Sequence, residues 1–582
     1  VSVHFAHPDS LTGTAFLRTR QEAMPSDAAL QALIDHNPAA VDAAGLRYAL
    51  TSGGRMRPAD FLPHVRRAIA AGLSPDAALR ALTLEPARIV GADNRLGSIE
   101  TGKIANLVVT NGDLFSDSAR IVMTFVDGER FALPPVIAQG PQGRRPPQRA
   151  ARDTAAAPAA PATIPLPPAE IPRGRLVAIT NATILTAANG TIANGTIVIR
   201  DGRIAALGAN VPVPNGATVI DATGRFVIPG IIDSHSHMAI EGGINEGSSN
   251  LTPQVRINDE IRHDDLQIWN ALAGGVTTAH LLHGSANAIG GQDATIKLRW
   301  GLRPDQLLAA GAPMGIKFAL GENPKRSNSN VLPGVPRRFP ETRMGVEYDI
   351  ANAFGDAQVY AAEWARYDSL RQRARRGQEP VPPRRDLFLE TLAGILDGSI
   401  RVHAHSYRAD EILMLLDLAD SLGFRLQTLQ HVLEGYKVAD EIAAHGAGAS
   451  TFADNWAYKL EAWDAIPYNM AIMHERGVRV SINSDSGERI RRLLQEAAKA
   501  MRYGNVSEEA ALQMVTLNAA HDVGLGDRIG SLEVGKDADL VILTHHPFDP
   551  RARVEQTMID GIVYYDYATA PRLADQIAGG AQ

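Results

Sequence analysis

Short apolar strands alternate with helical stretches between about residues 231 and 520 of this 582-residue chain. The strand-like runs are GVTTAHLL, MGIKFAL, IRVHAHS, FRLQTLQH and VRVSINSD, and stretches with helical spacing, such as ADEILMLLDLADSLG, lie between them. Strand–helix alternation over about 270 residues is typical of a parallel barrel. We therefore predict an α/β fold whose largest part, residues 231–520, is a (β/α)8 TIM-like barrel.

The segments on both sides of this region have β patterning. LVAITNATIL and ANGTIVIRDGRIAALG alternate β-branched and polar residues around Asn-Gly and Asp-Gly turns, which indicates short antiparallel strands. The pattern returns in LGSLEVGKDADLVILT and RVEQTMIDGIVYYD. We predict that residues 175–230 and 521–570 form one small β-sandwich that flanks the barrel. Residues 136–174 are rich in Ala and Pro and predict a semi-rigid linker before it.

The chain also repeats itself. The segment that begins at Ser74 matches the segment that begins at Ser507 at about half of its positions, without gaps. A further match pairs GLRYALTSGGRM with GVRVSINSDSGE and puts Gly53 where the later copy has Asp485. Such repetition indicates a repeated structural unit. We interpret residues 1–135 as the C-terminal remnant of a degenerate second unit, a non-catalytic scaffold that associates with a front part lying on another polypeptide or an upstream segment.

Composition excludes several kinds of site. The chain has no cysteine, so disulfides, thiolate metal sites and a cysteine nucleophile are excluded. Its net charge of −7 is spread along the sequence, which argues against a nucleic-acid partner. No apolar run reaches the roughly 20 residues that a membrane span needs. Any metal must therefore be held by histidine, carboxylate or a modified lysine.

Polar side chains recur where the apolar strands end, which in a parallel barrel is the face that carries the active site. His235 and His237 share one face of their strand because side chains two residues apart point the same way, and two imidazoles side by side suit a divalent metal. The later strands add a lysine, two histidines and an aspartate to these two residues. The candidate metal ligands are His235, His237, Lys317, His403, His431 and Asp485.

Several of these residues have alternative interpretations. Lys317 could extend to solvent, or its amine could add carbon dioxide and become a carbamate that bridges two metals. His403 and His405 share a face, so that one is a ligand and the other is a neighbour or simply packed. His431 alone could be a core histidine. Asp485 could be a ligand, a general base or the N-cap of the next helix.

The ordered set HxH, Lys, His, His and Asp on successive strands resembles the metal-dependent amidohydrolase superfamily, particularly its imidazolonepropionase-like and prolidase-like branch. FVIPGIIDSHSHM is similar to the family's first barrel strand, IKFA to the fourth, VHAHS to the fifth, LQHVLEG to the sixth and INSDS to the eighth. The resemblance implies two divalent ions, zinc first and manganese, iron or cobalt next, with a carboxylated Lys317. It favours His403 over His405 as the fifth-strand ligand.

The resemblance implies hydrolysis of a C–N bond, in an amide, peptide-like or N-acyl substrate, by a metal-activated hydroxide with Asp485 as proton shuttle. The alternative is a mononuclear deaminase on the same fold. Such enzymes typically lack the fourth-strand lysine and place a glutamate soon after the fifth-strand histidine. Here Lys317 is present and the next glutamate is Glu411, which favours the hydrolase.

Substrate contacts are predicted at positions beyond the ligand strands. Arg408 could bind a substrate carboxylate, with Tyr407 beside it. His280 and His283 could line the pocket, and Glu322 could contact the substrate or be an alternative ligand. The substrate itself would be a small molecule or a short peptide. We further expect an oligomer and an exported protein, periplasmic or secreted, with a cytoplasmic location as the alternative.

Overall fold

A computed structural model gives the structure of residues 2–4, 27–51, 58–116, 119–132, 171–240, 243–327, 339–375 and 379–570. The chain divides into two compact units, residues 1–164 and residues 165–582. Most of the predicted linker, and Gly53, lie outside the described residues. Among the described helices, none is long and apolar enough to cross a membrane.

The first unit combines four described helices with two small sheets. Strands β1 and β2 pair in parallel, and β3, β4 and β5 form an antiparallel sheet. The helices pack around a small buried core that includes Val65, Ala68 and Leu73. In chain order the elements are β1 Ser2–His4, α1 Asp27–Ala43, β2 Ala49–Thr51, α2 Pro58–Ala70, α3 Pro75–Leu82, α4 Leu84–Ile89, β3 Leu107–Thr110, β4 Ile121–Val126 and β5 Glu129–Ala132.

The second unit is a mixed α/β structure. Its strands are β6 Leu176–Leu185, β7 Thr191–Arg200, β8 Arg203–Gly208, β9 Thr218–Asp221, β10 Phe226–Pro229, β11 Ile231–Ser236, β12 Val276–Leu281, β13 Ile289–Gln292, β14 Ala294–Lys297, β15 Met314–Ala319, β16 Ile400–Ser406, β17 Leu426–His431, β18 Gly448–Thr451, β19 Arg479–Ile482, β20 Leu540–Leu543, β21 Val554–Ile559 and β22 Ile562–Asp566. Its helices are α5 Leu266–Ala273, α6 Pro304–Leu307, α7 Glu322–Ser327, α8 Arg343–Arg373, α9 Leu387–Leu396, α10 Ala409–Leu422, α11 Ala439–His445, α12 Asn469–Glu475, α13 Leu493–Gly504, α14 Glu508–Met514 and α15 Leu517–Asp522.

One sheet of the second unit joins strands from both ends of its sequence. Its strand order is β22-β21-β20-β10-β6-β7-β8, and β9 pairs with β6. Strand β10 pairs antiparallel with β20, so that the early and late β segments meet in the same sheet. The antiparallel strands predicted on both flanks of the barrel region are therefore present.

The strands that carry the candidate ligands run parallel. Strands β15 to β19 pair successively in parallel, and β11 pairs in parallel with β12. The backbone N–H of Asp485, just after β19, donates to the carbonyl of His235 on β11 at 3.1 Å. The carboxyl ends of the first and last of these strands therefore meet, and polar residues at the strand ends converge.

Strand β15 shows how the sequence orients a ligand. Phe318 is fully buried and its ring lies 6.2 Å from the rings of Phe354 on α8 and Phe424. Because side chains alternate along a strand, Lys317 faces the other way, away from the helices. Burial of a phenylalanine side chain stabilises a fold by about 1.5–3 kcal/mol, so this packing holds the lysine in its orientation.

One strand prediction was wrong. We compared FVIPGIIDSHSHM with a single barrel strand, but the structure splits it into β10 and β11, which belong to different sheets. Gly230 lies between them and donates its N–H to the carbonyl of Asp539 at 2.9 Å. A Cβ at Gly230 would collide with the side chain of Thr277. The chain changes sheets here because a glycine permits this close approach.

The two matching segments have the same local structure. Each element of the first segment begins 433 residues before its counterpart in the second. The pairs are α3 and α14, α4 and α15, β3 and β20, β4 and β21, and β5 and β22. Ser74 and Ser507 both cap a helix by accepting a hydrogen bond from the backbone N–H three residues later, at 3.1 and 3.2 Å. Gly97 and Gly530 have φ of +88° and +89°, where only glycine is comfortable.

Candidate active site

His235 and His237, at the end of β11, present unprotonated nitrogens to each other. Nδ1 of His235 lies 3.1 Å from Oε1 of Gln430, and Nδ1 of His237 lies 2.8 Å from the carbonyl of Leu282. Each Nδ1 therefore donates its proton, which leaves each Nε2 with a lone pair. The two Nε2 atoms are only 3.3 Å apart. Burial lowers the pKa of His235 well below its usual value, so the ring stays neutral.

Asp485 brings a carboxylate to the same point. Its Oδ1 lies 3.1 Å from Nε2 of His237 and 3.7 Å from Nε2 of His235. Enclosure alone would raise the pKa of Asp485, but the neighbouring His237, His431 and Lys317 side chains lower it to about 2. The side chain remains 31% exposed, so this carboxylate is both ionised and accessible. The N-cap interpretation does not hold, because Ser486 accepts the hydrogen bonds at the start of the 3₁₀ helix Arg489–Arg492 that follows.

Lys317 is fully buried at the end of β15. Its Nζ lies 3.3 Å from Nε2 of His235 and 3.2 Å from the carbonyl of His283. Burial lowers the pKa of Lys317 to about 8, against an ordinary value of 10.5. The side chain does not reach solvent, and its amine points at the histidine pair.

His431 and His405 bring two further rings to this point. The His431 ring centroid lies 4.6 Å from that of His235 and 4.7 Å from that of His405. Within the described residues, Nδ1 of His431 and Nε2 of His405 are buried without a hydrogen-bond partner. The other ring nitrogen of His405 contacts the hydroxyl of Ser285 at 2.9 Å. A buried nitrogen without a partner is costly, and a metal ion would satisfy it.

His403 lies elsewhere. It pairs with Lys317 across β15 and β16, while His405 stands two residues nearer the carboxyl end. Its ring packs against His280, with centroids 4.5 Å apart, and its Nε2 lies 3.8 Å from Oδ2 of Asp293. The sequence placed His403 among the metal ligands, whereas the structure brings His405 to His431 and puts His403 in a deeper layer.

Two positioning residues lie beside the ligands. The side-chain amide oxygen of Gln430 orients His235 by accepting the hydrogen bond from its Nδ1. Asp233 is buried and accepts hydrogen bonds from the hydroxyl of Ser484 at 2.5 Å and from its backbone N–H at 3.0 Å. Burial raises the pKa of Asp233 to about 7. Because Ser484 precedes Asp485, this contact fixes the carboxylate relative to β11.

The residues predicted to contact substrate have different surroundings. Tyr407 stacks on His431 with ring centroids 5.4 Å apart and forms part of the site wall. Arg408 forms a two-point ion pair with Asp410 and is 39% exposed. The structure thus shows Arg408 paired with its own neighbour.

The contacts of His283 and Glu322 involve residues other than the histidine pair. Nε2 of His283 accepts a hydrogen bond from the backbone N–H of Glu246 at 2.9 Å, and burial lowers the pKa of His283 to about 4. Glu322 begins α7, and its N–H donates to Glu461. Its carboxylate is not part of the group formed by His235, His431 and Asp485.

A cation beside the site was missed in the sequence. The guanidinium of Arg489 lies 5.4 Å from the ring centroid of Phe452, which stacks on His431 at 4.9 Å. Within the described residues, Arg489 forms no ion pair with a carboxylate. The residue follows Asp485 by four positions in SGERI, and an arginine so close to a predicted ligand was the available signal.

The donors fit a divalent metal. Two Nε2 lone pairs at 3.3 Å and an ionised carboxylate at 3.1 Å bring electron-rich atoms together, and a bound cation would be attracted by all of them. Imidazole nitrogen and carboxylate oxygen are ligands that zinc and related ions take. His235, His431 and Asp485 also have ligand atoms within 4.8 Å of one another. The site can therefore hold a metal, and the buried Lys317 can supply a further ligand after carboxylation.

Comparisons with known proteins point to one family. The Amidohydrolase family profile matches residues 25–131 and 467–563. Amidohydrolase tasK of Hapsidospora irregularis is 31% identical over 406 residues, which cover 64% of this chain and 40% of that protein. The chain thus spans less than half the length of this relative. Imidazolonepropionase of Thermoplasma acidophilum is 24% identical over 384 residues, 61% of this chain and 84% of that enzyme.

A solved structure gives a fuller match. The amidohydrolase from Thermotoga maritima MSB8 is 33% identical with a TM-score of 0.61, over 67% of this chain and 100% of that chain. These matches support the predicted metal-dependent hydrolase of carbon–nitrogen bonds. With such identity over the full length of a solved relative, this chain belongs to the amidohydrolase family.

Proposed function

We propose that the second unit hydrolyses the amide bond of an N-acyl amino acid or a short peptide at a two-metal centre. One observation carries this proposal. The Nε2 atoms of His235 and His237, the Asp485 carboxylate and the buried Lys317 amine converge, with contacts between them of 3.7 Å or less. His235, His237 and Asp485 would hold one ion, and His405 and His431 the other. Lys317, as a carbamate, would bridge them.

Bound divalent ions supply a Lewis acid and lower the pKa of water toward neutrality. Asp485 then receives the proton of the attacking water and passes it to the leaving nitrogen, because its ionised carboxylate faces the site and stays accessible. Gln430 and the carbonyl of Leu282 keep the proton on Nδ1 of each first-strand histidine, so that both Nε2 atoms stay available.

A deaminase on this fold is less well supported. Glu411, the first glutamate after His405, does not turn toward the site. Its Oε1 accepts a hydrogen bond from the N–H of Gly321 at 2.9 Å, and its Oε2 lies 3.1 Å from Nε of Arg343. A glutamate held this way cannot protonate a leaving amine at the metals. The buried Lys317 also favours a two-metal hydrolase.

Arg489 supports a substrate that carries a carboxylate. Its guanidinium is held over Phe452, whose ring stacks on His431, and it has no acidic partner among the described residues. An arginine beside a metal centre binds a carboxylate with charge-assisted hydrogen bonds. Dipeptides and N-acyl amino acids present such a group close to the bond that is cut.

The test is a panel of dipeptides and N-acyl amino acids, assayed with zinc-loaded protein and with Asp485→Asn. We expect turnover with at least one member and a loss of about 100-fold or more in kcat for the variant, within the range of general acid–base contributions. Equal turnover by the variant would remove Asp485 from the mechanism. Ammonia release without a new amine would favour the deaminase.

We further propose that residues 1–135 are a degenerate, non-catalytic copy of the closing part of the second unit. The shared 433-residue offset and the family match at residues 25–131 support this. Equivalent apolar positions differ in exposure: Ile99 is 89% exposed, whereas Leu532 is fully buried. The exposed apolar positions suit a partner that resembles the front part of an amidohydrolase unit. The test is a pull-down in which the first unit is used to capture a fragment that covers residues 171–507. The first unit with Ile99→Asp is the control.

A further inference from the structure

We propose that His280, Asp293 and His403 form a separate metal site in the interior of the parallel strands, one that takes a zinc ion or a similar divalent transition-metal ion. His280 lies on β12, Asp293 between β13 and β14, and His403 on β16. Their ligand atoms lie within 4.8 Å of one another, and all three residues are less than 9% exposed. Two imidazoles and a carboxylate are a set that zinc takes.

The hydrogen bonding of His280 leaves a nitrogen that faces an anion. Its Nδ1 lies 3.3 Å from the carbonyl of Ser234, so Nδ1 carries a proton that it donates to this oxygen. Nε2, the other ring nitrogen, faces Oδ2 of Asp293 at 3.0 Å. A cation placed between or beside these two atoms would be attracted by both of them.

A proton shared between His280 and Asp293 does not fit the geometry well. Although Oδ2 lies 3.0 Å from Nε2, this oxygen accepts no hydrogen bond among the described residues. The contact is short but lies off the line along which Nε2 would donate. An ion pair bridged by a proton would place the oxygen on that line.

A metal ion fits the same off-line contact. Ligand atoms that are each about 2.0–2.1 Å from zinc lie about 3.3 Å apart at a tetrahedral angle. The distances from Oδ2 of Asp293 to the nitrogens of His280 and His403 are 3.0 and 3.8 Å, on either side of that value. One ion placed among the three atoms would satisfy all of them.

The backbone makes room for the Asp293 carboxylate. Gly315, on β15, lies beneath it, and a Cβ at this position would collide with both oxygens of the carboxylate. Nδ1 of His403 is likewise buried without a partner among the described residues, so either nitrogen of that ring could turn to the ion. The site therefore contains two polar atoms that the protein alone leaves unsatisfied.

The test measures zinc content by plasma mass spectrometry after zinc loading and desalting. We expect Asp293→Asn and His280→Gln each to contain one zinc per chain less than the wild type. Thr278→Val is the matched control, because Thr278 is buried on the same face of β12 two residues before His280 and should keep the wild-type content. The expected loss is one ion whatever number the active site holds, so the result does not depend on the proposed function.

Zinc-edge anomalous diffraction from wild-type crystals keeps the proposal testable if the variants do not fold. We expect a peak about 2.1 Å from Nε2 of His280 and from Oδ2 of Asp293. No peak there, or unchanged zinc content in folded Asp293→Asn, would overturn the proposal and leave the cluster as a buried ion pair.

Discussion

Carboxylation of Lys317 makes a quantitative prediction about how the active site loads. Only the neutral amine adds carbon dioxide, and burial lowers the pKa of Lys317 from 10.5 to about 8. At pH 7 about a tenth of such amines are neutral, roughly 300-fold more than for an amine of ordinary pKa. The lysine is therefore poised to form a carbamate near neutral pH.

The assay is reconstitution of chelator-treated protein with zinc, with and without bicarbonate. Bicarbonate should accelerate the recovery of metal content and activity. With dissolved carbon dioxide held constant, the rate should rise about tenfold per pH unit from pH 6 to about pH 8 and then level off, since the neutral fraction of the amine rises only up to its pKa. A carbamate carbon signal in ¹³C NMR with labelled bicarbonate would report the modification directly.

Lys317→Met removes the amine but keeps a side chain of similar length. We expect this variant to lose bicarbonate dependence and at least one zinc per chain. Lys459→Met is the matched control, because Lys459 lies over the Tyr407 ring at 4.1 Å and pairs with Glu461. The reasoning is refuted if Lys317→Met retains full zinc content and activity, or if wild-type loading ignores both bicarbonate and pH.

Three further predictions concern stability and specificity. Lys297→Met should lower the free energy of unfolding of the second unit by about 3–5 kcal/mol in chemical denaturation, because it leaves three buried aspartates without their shared cation. The control Arg303→Met, at an exposed ion pair, should cause no measurable loss of stability. Leu532→Ala should cost about 2–5 kcal/mol, whereas Ile99→Ala at the equivalent exposed position should change unfolding by less than about 0.5 kcal/mol. Arg489→Met should raise KM for carboxylate substrates about 10- to 100-fold, the value of a charge-assisted hydrogen bond, and leave their methyl esters nearly unchanged in steady-state assays.

Much of the candidate site could be predicted because the candidate ligands follow simple periodicities. His235 and His237 stand two apart on a strand, and the other candidates end apolar runs that become parallel strands. Strand direction then brings their ends together without further information. The same periodicity could not choose between His403 and His405, because both face the same side. The choice depends on how far each stands along β16, which the register with β15 decides.

Other features depend on contacts that no local pattern encodes. Arg408 was predicted to bind substrate, but Asp410 two residues later takes its guanidinium. Gln430 orients His235 from a strand 195 residues away in sequence. The pairing of His280 with Asp293 likewise arises from strand geometry. The oligomeric state and the exported location remain predictions.

The measurement that tests the central claim most directly is mass spectrometry of the products formed in H₂¹⁸O. With a dipeptide or N-acyl amino acid that the zinc-loaded protein turns over, we predict an amine product and a carboxylic acid that carries one ¹⁸O atom. The Asp485→Asn variant should form neither at a comparable rate. Release of ammonia from an otherwise intact substrate, or a carboxylic acid without ¹⁸O, would contradict amide hydrolysis by a water that Asp485 deprotonates.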